Sequence, residues 1–392
     1  MADVPAIQGD VEPRFEGVRA AFAQNFAEAE ELGAAVHVMV DGETVVDLWG
    51  GLADRESGRL WERDTLVNVW SSTKGVLATA AHMLVDRGLL DLDAPVARYW
   101  PEFAQASKER IPVGWLLSHQ AGLPAIDGDR ELPALACQDW ETMTRALAMT
   151  GPQWEPGTKQ GYHTVTFGWL VGEVIRRITG EMPGVFIRRE IAEPLEAPFY
   201  LGVPDEMHPQ IATLEVQPVG APATSTTSAG FTLNPDSLTA RSIFLSTAPV
   251  AGDPNSAGWR RAEMPGMNGH ASARGMARIY SALSLGGSAH GVKLMRPETL
   301  ARAHTIEVEG PDTVLFVKTR RSLGYMHPVM ENGDQRGPDA FGHNGAGGSM
   351  AFADETRRVA FGYVMNRMWQ GGLMTPDPRA QRLAGAVYAA LA

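Results

Sequence analysis

Ser71 and Lys74 stand three residues apart in Val69-Trp70-Ser71-Ser72-Thr73-Lys74-Gly75, at the head of an apolar run whose spacing predicts a helix to about Gly88. Positions i and i+3 neighbour one another on a helix, which brings a primary amine within reach of a hydroxyl. A serine hydroxyl attacks a carbonyl at neutral pH only when a partner takes its proton. The pair is therefore suited to acyl transfer through a covalent serine ester, the chemistry of an S-x-x-K arrangement. Of the five lysines, Lys74, Lys108, Lys159, Lys293 and Lys318, only Lys74 has a serine three positions earlier. The bland alternative is that Ser71 caps the helix and Lys74 projects to solvent, since serine before an apolar-periodic run is the usual N-terminal signal.

Two later stretches add chemistry. In Gly157-Thr158-Lys159-Gln160-Gly161-Tyr162-His163-Thr164 a tyrosine sits in a polar, glycine-flanked loop before a helix predicted from Thr166. A phenol there can be held out into a cleft, the alternative being a loop tyrosine that merely anchors its ring. Phe341-Gly342-His343-Asn344-Gly345-Ala346-Gly347-Gly348-Ser349 is dense in glycine and opens a strand. Glycines let a backbone approach a ligand closely and present its N–H groups, the alternative being a simple turn.

The elements that must position these residues follow from periodicity. Phe15, Val18, Phe22 and Phe26 mark a helix within 11–32 that stops at Gly33. Extended runs at 34–40 and 43–49 flank Asp41-Gly42, a strong hairpin signal. A helix is predicted over 166–179, long loops near 204–228, and a further helix after Asn268 through Ala277, Ile279, Tyr280 and Leu283. Strands are expected at 314–318, 349–353 and 359–364, and a closing helix over 378–391. The pattern predicts an α+β fold, an antiparallel sheet flanked by helices. Residues 1–90 and 267–392 form that α/β domain, and residues 91–266 form a mostly helical domain inserted between them. A cleft between such domains is a usual place for an active site.

Composition narrows the function. The chain of 392 residues, 44% hydrophobic and 20% charged, can bury a large core, and its net charge of -12 argues against a nucleic-acid partner. The N-terminal residues carry acid and no apolar segment, and no stretch approaches the length of a membrane helix, so a cytoplasmic, membrane-free protein is expected. Cys137 is the only cysteine, so an internal disulfide or a Cys-based metal site cannot be built, and the residue reads as buried filler. His119, His163, His270 and His343 are scattered without the spacing of zinc ligands; no metal is expected, and His119 and His270 read as structural. No serine lies in a G-x-S-x-G elbow, which sets aside the α/β-hydrolase route to ester cleavage.

Taken in order, the three stretches resemble the serine β-lactamase and penicillin-recognising enzyme superfamily, most closely the family VIII carboxylesterases related to class C β-lactamases. Asn68-Val69-Trp70, Asp91-Leu92-Asp93-Ala94-Pro95-Val96, Leu116-Leu117-Ser118-His119-Gln120-Ala121-Gly122-Leu123-Pro124 and Asn268-Gly269-His270-Ala271-Ser272-Ala273-Arg274 look like further landmarks. The likeness covers most of the chain beyond about residue 30 and thins between about 200 and 265. It implies a β-lactamase-like fold, no cofactor, and a small-molecule ester as partner. Ser71 matches the acylated nucleophile, Lys74 the lysine of the same motif, and Tyr162 the tyrosine that shares base work with it. His343-Asn344-Gly345 matches the Lys-Thr-Gly element, and Ala346 supplies one oxyanion N–H while Ser71 supplies the other, so that Gly345 and Ala346 act through their backbone.

Two departures bear on substrate. Thr164 replaces the asparagine of Tyr-x-Asn, and His343 replaces the lysine of Lys-Thr-Gly, residues that in β-lactam-binding relatives hold the amide and the carboxylate. The resemblance thus implies a serine carboxylesterase for short-chain or compact esters with weak β-lactam hydrolysis. A β-lactamase or D-amino-acid peptidase is the alternative, followed by a non-catalytic scaffold of the same fold. Whether Tyr162 is a phenolate beside a charged Lys74, or Lys74 a neutral amine, stays open at this point.

Overall fold

The computed structural model describes residues 6–28, 31–215, 234–369, 371 and 376–392. One antiparallel sheet organises them. Its strands run in the order Gln8–Val11, Glu43–Asp54, Gly33–Val40, Val359–Met365, Met350–Asp354, Phe341–Asn344, Met326–His327, Lys318–Arg321 and Val308–Pro311, with Arg59–Leu60 pairing to Glu43–Asp54 off this path. The Asp41-Gly42 hairpin is present. Both residues take the left-handed conformation that a tight hairpin turn requires, at φ 53° and 84°. Residues from early and late in the chain meet at the centre of the sheet, where Val40 lies opposite Val359 and Ala34 opposite Met365.

Helices cover both faces of the central strands, which therefore lose the alternation of a half-exposed sheet; Val359–Met365 is buried throughout. The two faces differ in residue size. On one, Val36, Val38, Phe352, Phe361 and Tyr363 pack with Val18, Phe22, Phe26, Leu383 and Val387 of the helices Glu16–Ala27 and Pro378–Leu391. On the other, Ala35, Ala351, Ala353 and Ala360 allow the helix Ala273–Ser284 to settle close to the strands. A small three-stranded sheet joins Val67–Asn68, His270–Ala271 and Phe199–Tyr200, just ahead of Ser71. Between residues 91 and 266 lie the helices Val113–Leu117, Trp140–Met149, Thr166–Thr179, Pro183–Ile187 and Leu238–Phe244.

Two expected elements differ. The helix read over 11–32 is divided into the edge strand Gln8–Val11, a 3-10 turn at Pro13–Phe15 and the helix Glu16–Ala27. Pro13 lacks an N–H and holds Glu12 extended, at φ -62° and ψ 142°, which separates strand from helix. The strand expected at 314–318 is instead the bend between Val308–Pro311 and Lys318–Arg321. There the Asp312 carboxylate accepts the N–H groups of Val314 and Leu315, both at 2.7 Å, and turns the chain. Of the loops expected near 204–228, Asp205–Gln210 forms a 3-10 helix and residues 216–228 lie outside the described residues. Among the described residues no helix is long and apolar enough to cross a membrane.

Candidate active site

The helix following Ser71 spans Thr73–Asp86, so Ser71 sits on the turn that feeds it, after Trp70 at φ 46°. The Lys74 N–H donates to the Ser71 carbonyl at 3.0 Å, a 3-10 closure in which side chains three apart eclipse one another. Lys74 Nζ stands 2.9 Å from Ser71 Oγ as a result. The capping alternative fails, because the first turn of this helix receives no side-chain cap.

Lys74 is buried, and its amine also meets the carbonyl oxygens of Thr164 at 2.7 Å and Gly266 at 2.6 Å. None of these three partners is a carboxylate. Burial alone pushes its pKa well below the usual lysine value, because an ammonium without a counter-ion is costly in a dry interior. The shift favours the uncharged amine. With both carbonyls taking N–H bonds from it, an uncharged amine would turn its lone pair to the Ser71 hydroxyl.

Tyr162 lies in the loop before the helix Thr166–Thr179 and is fixed on several sides. Its N–H donates to Asp312 Oδ1 at 3.2 Å, and its ring packs against those of His119 and His343, with centroids 5.1 and 6.0 Å away. Burial pushes the phenol up to about 12, against the opposing effects of the Ser71 hydroxyl beside it and the Arg321 charge. At neutral pH the phenol keeps its proton.

The glycine-rich stretch is clamped to the nucleophile turn. Ser72 Oγ donates to the His343 carbonyl at 3.2 Å, and Ser349 Oγ donates to the Val69 carbonyl at 2.7 Å. The Gly345 N–H closes the turn onto Ser349 O at 2.7 Å, so it does not face the site as an oxyanion donor would. Gly345 acts through its missing side chain: a Cβ there would stand 2.1 Å from Ser349 Oγ and 2.2 Å from Val69 O. The N–H groups of Ser71 and Ala346 make no internal hydrogen bond among the described residues, which leaves both for an oxyanion. Behind this loop, Arg379 Nη2 donates to the Gly347 carbonyl at 2.9 Å.

His343 lies on the strand Phe341–Asn344, its Nδ1 2.7 Å from the Asn344 carbonyl and its Nε2 without a partner among the described residues. Burial pushes its pKa well below the ordinary histidine value, which favours the uncharged ring. Thr164 makes two contacts within the protein. Its hydroxyl accepts from Ser242 Oγ at 2.6 Å, and its carbonyl is the group that reaches Lys74. His119 and His163 hold loops: His119 Nδ1 accepts the His163 N–H at 3.0 Å, and His163 Nε2 accepts the Leu123 N–H at 2.9 Å. Cys137 is buried, its thiol pushed up by desolvation and directed at the Leu245 carbonyl. Among the described residues no His, Cys, Asp and Glu side chains converge as a metal site would require.

Sequence reasoning passed over the Gly266 carbonyl, Ser349, and the Asp312 and Arg321 pair. A signal for the last was present, since Pro311-Asp312-Thr313 is turn chemistry.

Comparison with known proteins agrees with this geometry. A beta-lactamase family model matches residues 18–386. The chain is 36% identical over 375 residues to the esterase/beta-lactamase LipL of Mycobacterium tuberculosis (strain ATCC 25618 / H37Rv), covering 94% of this chain and 84% of that protein. Its fold is similar to the crystal structure of a penicillin-binding protein homolog from Caulobacter crescentus, with a TM-score of 0.88 and 40% identity over 98% of this chain and 100% of the other. It is similar also to a family VIII carboxylesterase, with a TM-score of 0.86 and 39% identity over the same shares of the two chains. The chain belongs to the beta-lactamase family, and its likeness to a family VIII carboxylesterase runs the length of both molecules.

Proposed function

We propose that this family member is a serine carboxylesterase that cleaves short-chain or compact esters through an acyl-Ser71 intermediate. The observation that carries the reading is the setting of Lys74, a buried amine with two carbonyl partners, no carboxylate, and Ser71 Oγ 2.9 Å away. Neutral Lys74 takes the Ser71 proton as Oγ attacks the ester carbonyl. The Ser71 and Ala346 N–H groups hold the resulting oxyanion, beside the positive end of the helix Thr73–Asp86. When the intermediate collapses, the bond from the acyl carbon to the ester oxygen breaks and the departing alkoxide takes the Tyr162 proton. The Lys74 ammonium then returns a proton to Tyr162. Water repeats the sequence on acyl-Ser71, with Lys74 as its base and the serine oxygen leaving.

His343 favours esters over β-lactams. Where β-lactam-cleaving relatives place a lysine, this chain has an imidazole whose burial disfavours its charged form, and burial acts the same way on Lys74, so neither is a ready cation for a β-lactam carboxylate. The names of LipL and of the carboxylesterase neighbour support ester work, and that of LipL leaves weak β-lactam hydrolysis as a side activity.

The test is a rate panel of p-nitrophenyl acetate and butyrate, nitrocefin and a D-alanyl peptide, with wild type and Ser71→Ala. Esters should lead, Ser71→Ala should lose all turnover, and a fluorophosphonate should label Ser71. Faster opening of nitrocefin than of p-nitrophenyl acetate would instead make this a β-lactamase. Labelling of Ser72 or Ser349 would remove Ser71 as nucleophile.

A further inference from the structure

Beside Tyr162 lies a buried cation that the reaction above leaves unused. The Arg321 and Asp312 side chains are 1% and 0% exposed, with Nη1 and Oδ2 2.6 Å apart. Asp312 is occupied with building the loop, since its Oδ1 accepts the N–H groups of Tyr162, Val314 and Leu315. Arg321 Nη1 also donates to Gln160 Oε1 at 2.9 Å, an acceptor shared with Thr319 Oγ1 at 3.1 Å. The contact with Asp312 is an ion pair too bent to be a directed hydrogen bond, and Arg321 Nε and Nη2 have no acceptor among the described residues. Asp312 opposes the guanidinium's field without cancelling it at Tyr162, where the Arg321 charge outweighs that of Asp312. The Tyr162 ring lies in that field, its centre 5.4 Å from Arg321 Cζ.

We infer that Arg321, held in place by Asp312, is a positioning residue of the hydrolysis, whose guanidinium stabilises negative charge on Tyr162 while the phenolic proton passes to the leaving alkoxide. The inference rests on Tyr162 acting as the acid of the proposed reaction. In that step the Tyr162 O–H bond breaks, an O–H bond forms on the alkoxide, and the phenolate regains its proton from Lys74. Burial opposes the step, because an apolar surrounding disfavours the anion and keeps the phenol protonated up to about 12. A cation over the ring acts in the opposite direction. His119, His163 and His343 are pushed toward the uncharged form by burial and Asp312 has the wrong sign, so the cations over the ring in that step are the Lys74 ammonium, 5.0 Å from its centre, and Arg321, which alone keeps its charge through the whole cycle. One ion pair thus fixes the tyrosine twice, Asp312 through its backbone and Arg321 through its ring.

The experiment uses leaving groups. p-Nitrophenolate departs without a proton and ethoxide does not, so a defect in proton donation slows ethyl butyrate more than p-nitrophenyl butyrate, whereas general structural damage slows both alike. Replacing Arg321 alone strands Asp312 as an uncompensated buried charge. The variant is therefore Arg321→Gln with Asp312→Asn, which removes both charges and keeps an Oδ1 acceptor for the Tyr162 N–H. Its kcat/KM should fall about tenfold further on the ethyl ester than on the p-nitrophenyl ester, the effect of about one pKa unit. Tyr162→Phe should show at least that selectivity, and combining it with the double variant should add nothing more. Arg321→Lys, which keeps the ion pair but draws a point charge away from the ring, should fall between wild type and the double variant, and it decides the matter if the double variant does not fold. Equal losses on the two esters, or losses that add fully to those of Tyr162→Phe, overturn the inference. If Tyr162→Phe itself slows both esters alike, the acid role of Tyr162 falls, and the failure then lies in the proposed mechanism and not in Arg321 alone.

Discussion

Lys74 and Arg379 are both basic side chains sealed from water, and their surroundings are opposite. Around Lys74 stand two carbonyls and a hydroxyl. Around Arg379 stand two carboxylates, Asp377 at 2.7 Å and Glu31 at 3.1 Å, the second also taking the Tyr363 hydroxyl. A paired guanidinium keeps its charge under burial and serves as a rigid tie, here to the carbonyls of Gly347 and Arg367. An amine with no carboxylate beside it is pushed toward its uncharged form, as the base proposed for Lys74 requires. The same dry interior produces a brace in one region and a reactive group in the other, and the presence of carboxylates decides which.

Removing each group should separate the two roles. Lys74→Met should cost kcat/KM on the order of 10²–10⁴-fold, the usual worth of a general base, while the urea midpoint holds or rises. A large loss of stability with retained activity would contradict the neutral amine. Arg379→Met should act the other way: it leaves Glu31 and Asp377 uncompensated in the interior and should lower unfolding free energy by about 3–5 kcal/mol in denaturant titration. An unchanged midpoint would mean that the cluster is no brace.

Restoring a cation should sharpen the contrast further. His343→Lys introduces charge near the carboxylate-free centre, and a charge-assisted contact of roughly 1.5–3 kcal/mol should raise nitrocefin turnover relative to ester turnover by one to two decades. Parallel changes on both substrates would show that His343 does not govern this choice.

The smallest effect expected is on pH dependence. The Lys74 pKa is depressed in the folded state from 10.5, so between the two values the unfolded chain binds more protons and stability rises with pH. That part of the slope should vanish in Lys74→Met. For activity the sign is the same: kcat/KM should fall in acid as Lys74 gains its proton, with no alkaline decline from Tyr162 before about 12. An alkaline limb near neutrality that disappears in Tyr162→Phe would assign the base to a phenolate instead.

What could be read from the sequence was what is local or periodic. The helices Thr166–Thr179 and Pro378–Leu391 announce themselves by spacing and a helix-starting proline, and Ser71 with Lys74 by a three-residue interval. Polar partners supplied by the backbone were hidden, because the carbonyls of Thr164 and Gly266 carry no residue identity; this is why the sequence left open whether Lys74 is charged. The Arg321 and Asp312 pair was hidden for another reason. Val314, Leu315 and Val317 imitate a strand, and only the side-chain hydrogen bonds of Asp312 bend that apolar segment into a turn. Gly345 illustrates a third case, in which the right residue was chosen but its importance lies in the space its missing side chain leaves beside Val69 and not in its N–H.

The bond from Arg379 to the Gly347 carbonyl ties the loop that presents the Ala346 N–H to a residue in the first turn of the helix Pro378–Leu391. Ser71, Lys74 and Tyr162 are all synthesised more than two hundred residues earlier. A nascent chain emerging from the ribosome therefore carries Ser71, Lys74 and Tyr162 long before the Ala346 loop is braced, and the proposed esterase activity should begin only after this helix has cleared the exit tunnel and docked. Birth order along the polypeptide thus places the proposed acylation after the sheet is complete.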